Sequence, residues 1–234
     1  MTIPSCQLDH LVITAPALAD GIDYVEQRLG CRMQPGGQHP RLGTHNALLR
    51  IGEDCYLEVI AIDPDAAPFT RPRWFQLDQL QPGSPPRLTT WVLRTSDIVT
   101  TRQTAVASGL DPGPIEDMHR GDLTWQITIP ADGRLLLHGC MPSLIQWHTP
   151  QLPPARLPHC RLQLSQLELQ HPAPQHLQNW LNSLGHPQFV TTTEHPQPAL
   201  TAHVQTPTGP LPRWAAAGGA GGGGGGGAGG GGGG

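Results

Sequence analysis

One short pattern recurs three times in this chain: a strand-like run of residues, then a segment with apolar residues at helical spacing, and then a glycine. The strand-like runs begin at Leu8, Leu88 and Leu164, so the pattern returns after about 80 residues. Their sequences are LDHLVIT, LTTWVLRT and LSQLELQHP. Because a recurring pattern of this length corresponds to copies of one structural unit, it predicts a chain built from repeated strand–helix units.

The first unit carries the clearest signals. Residues 7–14 alternate but are apolar on both sides, which predicts a strand that is covered on both faces. A helix predicted over 17–29, ended by Gly30, would cover one face and leave the face shared by Leu8 and His10 free to line a site. Further strands are predicted at 31–35, 45–51 and 55–62, with a turn at Gly36-Gly37 after the first of them.

Three residues of types that bind metals or move protons lie on the strands of this unit: His10, His45 and Glu58. Glu58 stands in an otherwise apolar strand, and a buried carboxylate is costly unless it has a partner. His45 has the parity of Ala47 and Leu49, which favours the core or a pocket face. His45 is therefore either a donor or proton shuttle at a pocket rim or a polar residue that closes a turn.

The sequence resembles the vicinal oxygen chelate superfamily and, within it, the glyoxalase-like domain proteins. The matching stretches are LDHLVIT, a helix ending in RLG, PGGQHPRLGTHNALL and YLEVIAIDP, and later LTWQITIP and PSLIQW. The resemblance implies an α+β fold in which paired βαβββ modules form curled mixed sheets around a cup. We accordingly predict a first module at 6–84, a second module at 85–150, a partial third module at 151–213, and an Ala/Gly tail at 214–234 that is disordered or of unassigned identity.

The resemblance also implies metal ligands on the first and fourth strands of each module. His10 and Glu58 hold these positions in the first module, whereas Trp91 and Gln146 align with them in the second. Tryptophan is not a ligand for divalent ions, so the family's set of four ligands is incomplete. His10 and Glu58 are either ligands of one divalent ion (Zn, Fe, Mn or Ni), completed by other groups or water, or a hydrogen-bonded pair inside the cup.

Each candidate site residue is predicted with a role. The predicted catalytic residues are Glu58 and His45, the predicted metal ligands are His10 and Glu58, and the predicted substrate-binding residues are Asn46, Trp91, Trp125, Gln146 and Arg41. Trp91 would narrow and dry the cup, although a core position is the alternative for each tryptophan. Arg41 would hold a carboxylate over the mouth of the cup, with a solvated loop position as the alternative.

Composition restricts the partners. The net charge of -4, without a basic cluster, argues against nucleic acid, and no apolar run reaches the roughly 18 residues of a membrane span. The five cysteines form no C-x-x-C pair, and the first residues do not resemble a signal peptide. We therefore expect a cytoplasmic protein with reduced thiols and a small-molecule ligand, with a homodimer left open.

Two functions are consistent with these patterns. The first is a small-molecule enzyme of the vicinal oxygen chelate type, with metal-assisted lyase, isomerase or dioxygenase chemistry at His10 and Glu58. The second is a metal-free protein of the same fold that binds or sequesters a small molecule. The sequence does not decide between them.

Overall fold

The computed structural model describes residues 6–68, 70–185, 187–207, 209–210 and 214–215. Most of the predicted tail at 214–234 therefore lies outside the described residues. Within the described ranges, no helix is long and apolar enough to cross a membrane.

Two modules with the same βαβββ order form most of the structure. The first module consists of β1 (Cys6–Thr14), α1 (Leu18–Leu29), β2 (Gln34–His39), β3 (Thr44–Arg50) and β4 (Tyr56–Ile62). The second module consists of β5 (Arg87–Thr95), α2 (Ile98–Ala107), β6 (Ile115–Arg120), β7 (Leu123–Thr128) and β8 (Ser143–Trp147). Between β4 and β5, a short 3-10 segment covers Trp74–Gln79, and a second one precedes β8 at Leu136–Gly139.

The eight strands of these modules join in one sheet with the order β2-β3-β4-β1-β5-β8-β7-β6. β1 and β5 pair antiparallel at its centre, and each is parallel to the fourth strand of its own module. The sheet curls, so that its edge strands approach each other: a Cβ on Gly37 of β2 would lie 2.8 Å from Cδ of Arg120 in β6. The predicted α+β fold of paired βαβββ modules around a cup is therefore confirmed.

A third unit follows the paired modules. It consists of α3 (Pro153–Arg156), β9 (Gln163–His171), α4 (Pro174–Ser183), β10 (Val190–Glu194), β11 (Ala199–Thr206), β12 (Gly209–Pro210) and β13 (Trp214–Ala215). Strands β9 to β13 form a separate five-stranded sheet. Its buried residues Leu167 and Leu200 belong to the same hydrophobic cluster as Trp91 and Leu93 of β5. The third unit thus packs against the paired modules, although the predicted module boundaries stay predictions.

The two faces of the eight-stranded sheet belong to different cores. The outer face carries Leu11 and Val59, which share one hydrophobic cluster with Val25 of α1 and with the third unit. The inner face carries Val12 and Val92, which belong to a second cluster. The inner cluster also contains three aromatic residues, Trp74, Phe75 and Trp125, among aliphatic side chains. The cup is therefore lined by strands of both modules and filled by aliphatic and aromatic side chains.

Several predicted elements needed correction. The predicted helix over 17–29 is confirmed as α1, and Gly30 follows it with a φ of 65°. Gly36 and Gly37, predicted as a turn, lie inside β2, where the pairing with β3 shifts register. β6 and β10 were not predicted, because their sequences IEDMHR and VTTTE are mostly polar and lack a continuous apolar face.

Candidate active site

A β-bulge in β1 determines which face of the sheet carries His10. The pairing of β1 with β5 shifts register between Leu8 and His10, so the two side chains lie on different faces. Leu8 belongs to the outer cluster, whereas His10 lines the inner cavity. The prediction that Leu8 and His10 share one face was therefore wrong, because a bulge interrupts the period of two. The same bulge allows the side chain of Asp9, the intervening residue, to contact that of His10.

His10 lies between two buried carboxylates. Its Nδ1 is 2.7 Å from Oδ1 of Asp9, and its Nε2 is 3.4 Å from Oε2 of Glu58 in the neighbouring parallel strand β4. The His10 and Tyr56 rings stack with their centroids 4.5 Å apart. Asp9 accepts a further hydrogen bond from Nε1 of Trp147, at 3.0 Å. The imidazole is thus fixed at both nitrogens and on one face, with almost no freedom to rotate.

The polar network continues from Glu58 toward the edge of the sheet. Nδ2 of Asn46 donates to Oε1 of Glu58 at 2.5 Å, and Nη1 of Arg120 donates to Oδ1 of Asn46 at 3.0 Å. Nη1 of Arg120 also lies 3.4 Å from Nε2 of His39, whose Nδ1 is 3.1 Å from the hydroxyl of Thr44. Because the Asn46 amide donates to a carboxylate and accepts from a guanidinium, its orientation is fixed by charge.

Electrostatics favour an ion pair between His10 and Glu58. Burial lowers the pKa of His10, but hydrogen bonds to Asp9 and Glu58 outweigh burial and raise the pKa to about 9. Burial raises the pKa of Glu58, but the hydrogen bond and charge of His10 lower it to about 2. His39, also buried but without a carboxylate contact in the described residues, has its pKa lowered to about 4 by desolvation. At neutral pH the site therefore holds an imidazolium beside a carboxylate, with a neutral imidazole nearby.

Aromatic side chains enclose the pair. Trp74 and Phe75 stack with ring centroids 5.1 Å apart, and Trp125 and Trp147 are also 5.1 Å apart. These four residues line the same cavity as His10 and Glu58, and its volume is about 20 Å³. Since one water molecule needs roughly 10–15 Å³ of such volume, the enclosed space is about the size of a single water. A larger ligand can therefore enter only if side chains move.

The structure brings part of the predicted set together. His10, Glu58, Asn46 and Trp125 all line this cavity. His45 does not: its strand neighbours Ala47 and Leu49 belong to the outer cluster, and alternation along β3 places His45 on that outer face. His45 thus shares a face with Ala47 and Leu49, as predicted, but that face is the outer one. Its neighbour Asn46 lies on the face that lines the cup.

Three predicted substrate-binding residues lie elsewhere. Trp91 is fully buried in the outer cluster, where its Nε1 donates to the carbonyl of Cys140 at 3.0 Å. Gln146 accepts a hydrogen bond from the backbone N–H of Ile98, at the start of α2. Arg41 lies 3.0 Å from the carboxylate of Glu116 in β6, and its side chain is 51% exposed. The sequence alignment of the second module therefore selected residues one position away from those on the inner face. Arg41 instead connects its loop to β6.

Sequence reasoning missed several residues of the site. Asp9 was missed, because the bulge that brings it to His10 cannot be read from alternation. Arg120 was missed together with β6, the strand that carries it. His39 and Trp147 stand within stretches that carry the family resemblance, PGGQHPRLGTHNALL and PSLIQW, which was the available signal. Arg120, His39 and Trp147 reach the site through tertiary folding, whereas Asp9 reaches it through the local bulge.

The donors present do not fit the four-ligand metal site that the resemblance implies. Val92 pairs with His10 in register and Ile145 lines the cavity, so the inner face of module two offers alkyl groups where ligands would be needed. In the described part of the chain, no group of three or more His, Cys, Asp and Glu side chains is placed to hold a metal ion. Two donors and the guanidinium of Arg120 nearby make a poor site for a divalent cation.

Comparisons with known proteins are consistent with this architecture. A structure of a hypothetical protein from Staphylococcus aureus matches with a TM-score of 0.57 and 14% identity, covering 82% of this chain and 87% of the other. A methylmalonyl-CoA epimerase from Streptomyces coelicolor, in complex with 2-nitronate-propionyl-CoA, matches with a TM-score of 0.42 and 15% identity, over 61% of this chain and 98% of the other. At these identities the first match shows the fold alone, and the second carries no argument about function.

The sequence comparison establishes the family. No curated protein sequence matches the chain significantly. The model of the glyoxalase-like domain family matches residues 8–185, which include both βαβββ modules and the first strand and helix of the third unit. The chain therefore belongs to the glyoxalase-like domain family, within the vicinal oxygen chelate superfamily.

Proposed function

We propose that this protein is an enzyme that moves a proton at a carbon next to a carbonyl group of a small molecule, using His10 and Glu58 without a metal. The observation that carries this proposal is the buried Asp9–His10–Glu58 arrangement, in which an imidazolium and a carboxylate face one cavity 3.4 Å apart. A reaction of this kind needs a base at the carbon and a hydrogen-bond donor at the oxygen where negative charge develops. Isomerisation, epimerisation and elimination all begin with this step.

Glu58 would take the proton and His10 would donate to the oxygen. The hydrogen bond from His10 is one reason that the pKa of Glu58 is low. When a substrate oxygen approaches the fixed Nε2–H of His10 and accepts its hydrogen bond, Glu58 loses that stabilisation and becomes a stronger base. Asp9 holds Nδ1 of His10 and keeps the ring charged and oriented, while Asn46 holds Oε1 of Glu58 and leaves Oε2 to accept the proton.

The aromatic residues around the pair would bind the apolar part of the substrate and exclude water. Trp74 lines the cavity, and its Nε1 is buried without a hydrogen-bond partner among the described residues. A buried N–H without a partner costs free energy, so a substrate oxygen that accepts from it would gain affinity. Exclusion of water strengthens the interaction of His10 with a developing anion.

The experiment is a deuterium-exchange screen. A panel of small carbonyl compounds with α-protons is incubated with the protein in D₂O, and loss of the α-proton signal is followed by ¹H NMR. We expect at least one compound to exchange faster with wild-type protein, and Glu58→Gln to lower that rate by about 10²- to 10⁴-fold, the usual contribution of a general base. Exposed residues give matched controls: Glu53→Gln and His176→Gln should exchange at the wild-type rate.

Metal analysis of the same protein, purified without chelator, tests the metal-free part of the proposal. If the wild type contains stoichiometric Zn, Fe, Mn or Ni and His10→Gln does not, the metal-free scheme is wrong and the metal-assisted scheme takes its place. The arrangement that favours this second scheme is the Asp9–His10 contact, because metal-binding histidines commonly donate their other nitrogen to a carboxylate. Exchange that is equally fast in wild type and Glu58→Gln would refute both schemes.

A binding protein without catalysis is the second candidate. The stacked and tilted aromatic pairs around the cavity favour it, since such walls hold planar ligands without any chemistry. A compound that raises the melting temperature without α-proton exchange would support this candidate, because a ligand that binds only the folded state stabilises it. We also propose a cytoplasmic location, since all five cysteines are free, and leave a homodimer as a prediction.

A further inference from the structure

A second and much larger cavity, an open groove, lies where the edge strands β2 and β6 approach each other. Its volume is about 780 Å³, within the range of small-molecule sites, whereas the cavity at His10 holds only about 20 Å³. It is bordered by the edge strand β2, by the turn between β6 and β7, and by the short helix α3. One residue, Arg120, lines both cavities. Its side chain therefore stands between the large groove and the buried pair.

The charge of Arg120 has no carboxylate partner among the described residues. Its Nη1 donates instead to the neutral amide oxygen of Asn46 and lies 3.4 Å from Nε2 of His39. Arg156, the other arginine of the groove, is already held by Asp122 through two hydrogen bonds of 2.8 Å. Arg120 is thus the half-buried cation of the groove that remains available to an incoming anion.

The backbone of β2 is shaped to hold Arg120 in this position. A Cβ on Gly37 would lie 2.8 Å from Cδ of Arg120, and a Cβ on Gly36 would overlap the Asn46 amide. Gly37 also has a φ of 135°, a backbone conformation that residues other than glycine rarely adopt. Two adjacent glycines in an edge strand therefore make room for the guanidinium and for the amide that it contacts.

We propose that Arg120 is both the anchor for an oxyanion of the ligand and the gate between the large groove and the site at His10. An anionic group in the groove would draw the guanidinium away from Asn46 and His39, and this movement would open the passage to the inner cavity. This inference rests on the proposed function for the position of the reacting end, but the anion site itself does not. It adds a substrate class: small carbonyl compounds that also carry a carboxylate or a phosphate.

The experiment measures anion binding directly. Pyruvate and inorganic phosphate are each titrated into the protein at constant ionic strength, with chloride as the balancing ion, and Nε–Hε signals of arginine are followed by ¹H–¹⁵N NMR. We expect a saturable shift of the Arg120 signal with at least one of the two anions, and the anion that binds identifies the oxyanion. Arg134, whose side chain is 62% exposed outside the groove, should show no saturable shift.

Variants provide the second measurement. Arg120→Gln should weaken anion binding by roughly tenfold or more, because a charge-assisted contact through two N–H groups is lost. The affinity of Arg120→Lys for the anion should lie between those of the wild type and Arg120→Gln. Arg134→Gln should bind as wild type does. His10→Gln should also bind the anion within about twofold, so that failure of the proposed reaction is distinguishable from failure of this site.

Two results would overturn the proposal. One is an Arg120 signal that responds to pyruvate and phosphate no more than the Arg134 signal does in wild-type protein. The other is undiminished anion binding by folded Arg120→Gln. Should Arg120→Gln fail to fold, the wild-type NMR titration and Arg120→Lys decide the question, because neither removes the positive charge.

Discussion

The two modules share one strand order but present opposite chemistry to the cup. Module one contributes His10 and Glu58, both nearly inaccessible to solvent, from the neighbouring parallel strands β1 and β4, in which Glu58 pairs with Val12. At the centre of the sheet, module two sets Val92 against His10, and Ile145 lines the same cavity. A repeated fold therefore need not repeat its site: module one supplies the ionisable groups, and module two supplies an apolar wall and Arg120 that control their environment.

The largest expected effect concerns the charged half of this comparison. Glu58→Leu leaves His10 charged beside Asp9 only and removes the acceptor of the Asn46 amide. Because breaking a buried ion pair leaves an uncompensated charge, we expect the free energy of unfolding to fall by about 3–5 kcal/mol. Urea denaturation at pH 7 measures the change. A loss below about 1 kcal/mol would mean that the pair is neutral or solvated, and the contrast between the modules would disappear.

The second prediction concerns pH. The pKa of His10 is raised from 6.5 to about 9, so its stabilisation is complete below pH 6.5 and is lost as pH rises through about 9. The pKa of Glu58 is lowered from 4.5 to about 2, so its stabilisation is complete above pH 4.5 and is lost as pH falls through about 2. The contribution of the pair to stability should therefore be greatest between pH 4.5 and 6.5.

Comparison with His10→Gln isolates this effect from other groups that titrate at high pH. As pH rises from 6.5 to above 9, the difference in unfolding free energy between wild type and His10→Gln should decrease by about 3 kcal/mol. The reason is that one unit of pKa shift corresponds to about 1.4 kcal/mol. Urea denaturation of both proteins across this range gives the difference. A constant difference would show that folding does not raise the pKa of His10.

The third prediction tests the corrected register of module two. Trp91→Phe removes the hydrogen bond to the Cys140 carbonyl and part of a fully buried side chain, so we expect a loss of about 2 kcal/mol in unfolding free energy. Because Trp91 lies on the outer face, the NMR titration of His10 should not change. A shift in the pKa of His10 would place Trp91 at the cup, as its sequence alignment had predicted.

These contrasts explain what the sequence could and could not predict. The fold was predictable, because the repeated strand–helix pattern and the family resemblance both survive in the apolar positions of β1, β5 and β9. His10 and Glu58 were also predictable, since an ionisable residue in an apolar strand signals a specific contact. The pairing of Asp9 with His10 was not, because it depends on a bulge that changes which face a residue joins.

The same reasoning explains the errors in module two. Aligning Trp91 with His10 required one extra residue ahead of Trp91, and a shift of one residue moves every later side chain to the other face. Arg120 lies on β6, an edge strand in which polar residues alternate with few apolar ones, so its sequence shows little periodicity. Contacts made across the closing edges of a curled sheet leave no local trace in the sequence.

The smallest expected effect belongs to the apolar wall. Ile145→Val removes one methylene from a residue that is 1% exposed, and such a change costs about 0.5–1.5 kcal/mol. If module two contributes packing alone at this position, the loss should be independent of pH and should leave the titration of His10 unchanged. Denaturation at pH 5.5 and at pH 9, together with His10 NMR, measures both quantities. A loss that grows at low pH would mean that the small space left by the methylene admits water to the ion pair, because a better-solvated pair stabilises the folded state less. The wall would then be part of the electrostatics of the site and not only of its packing.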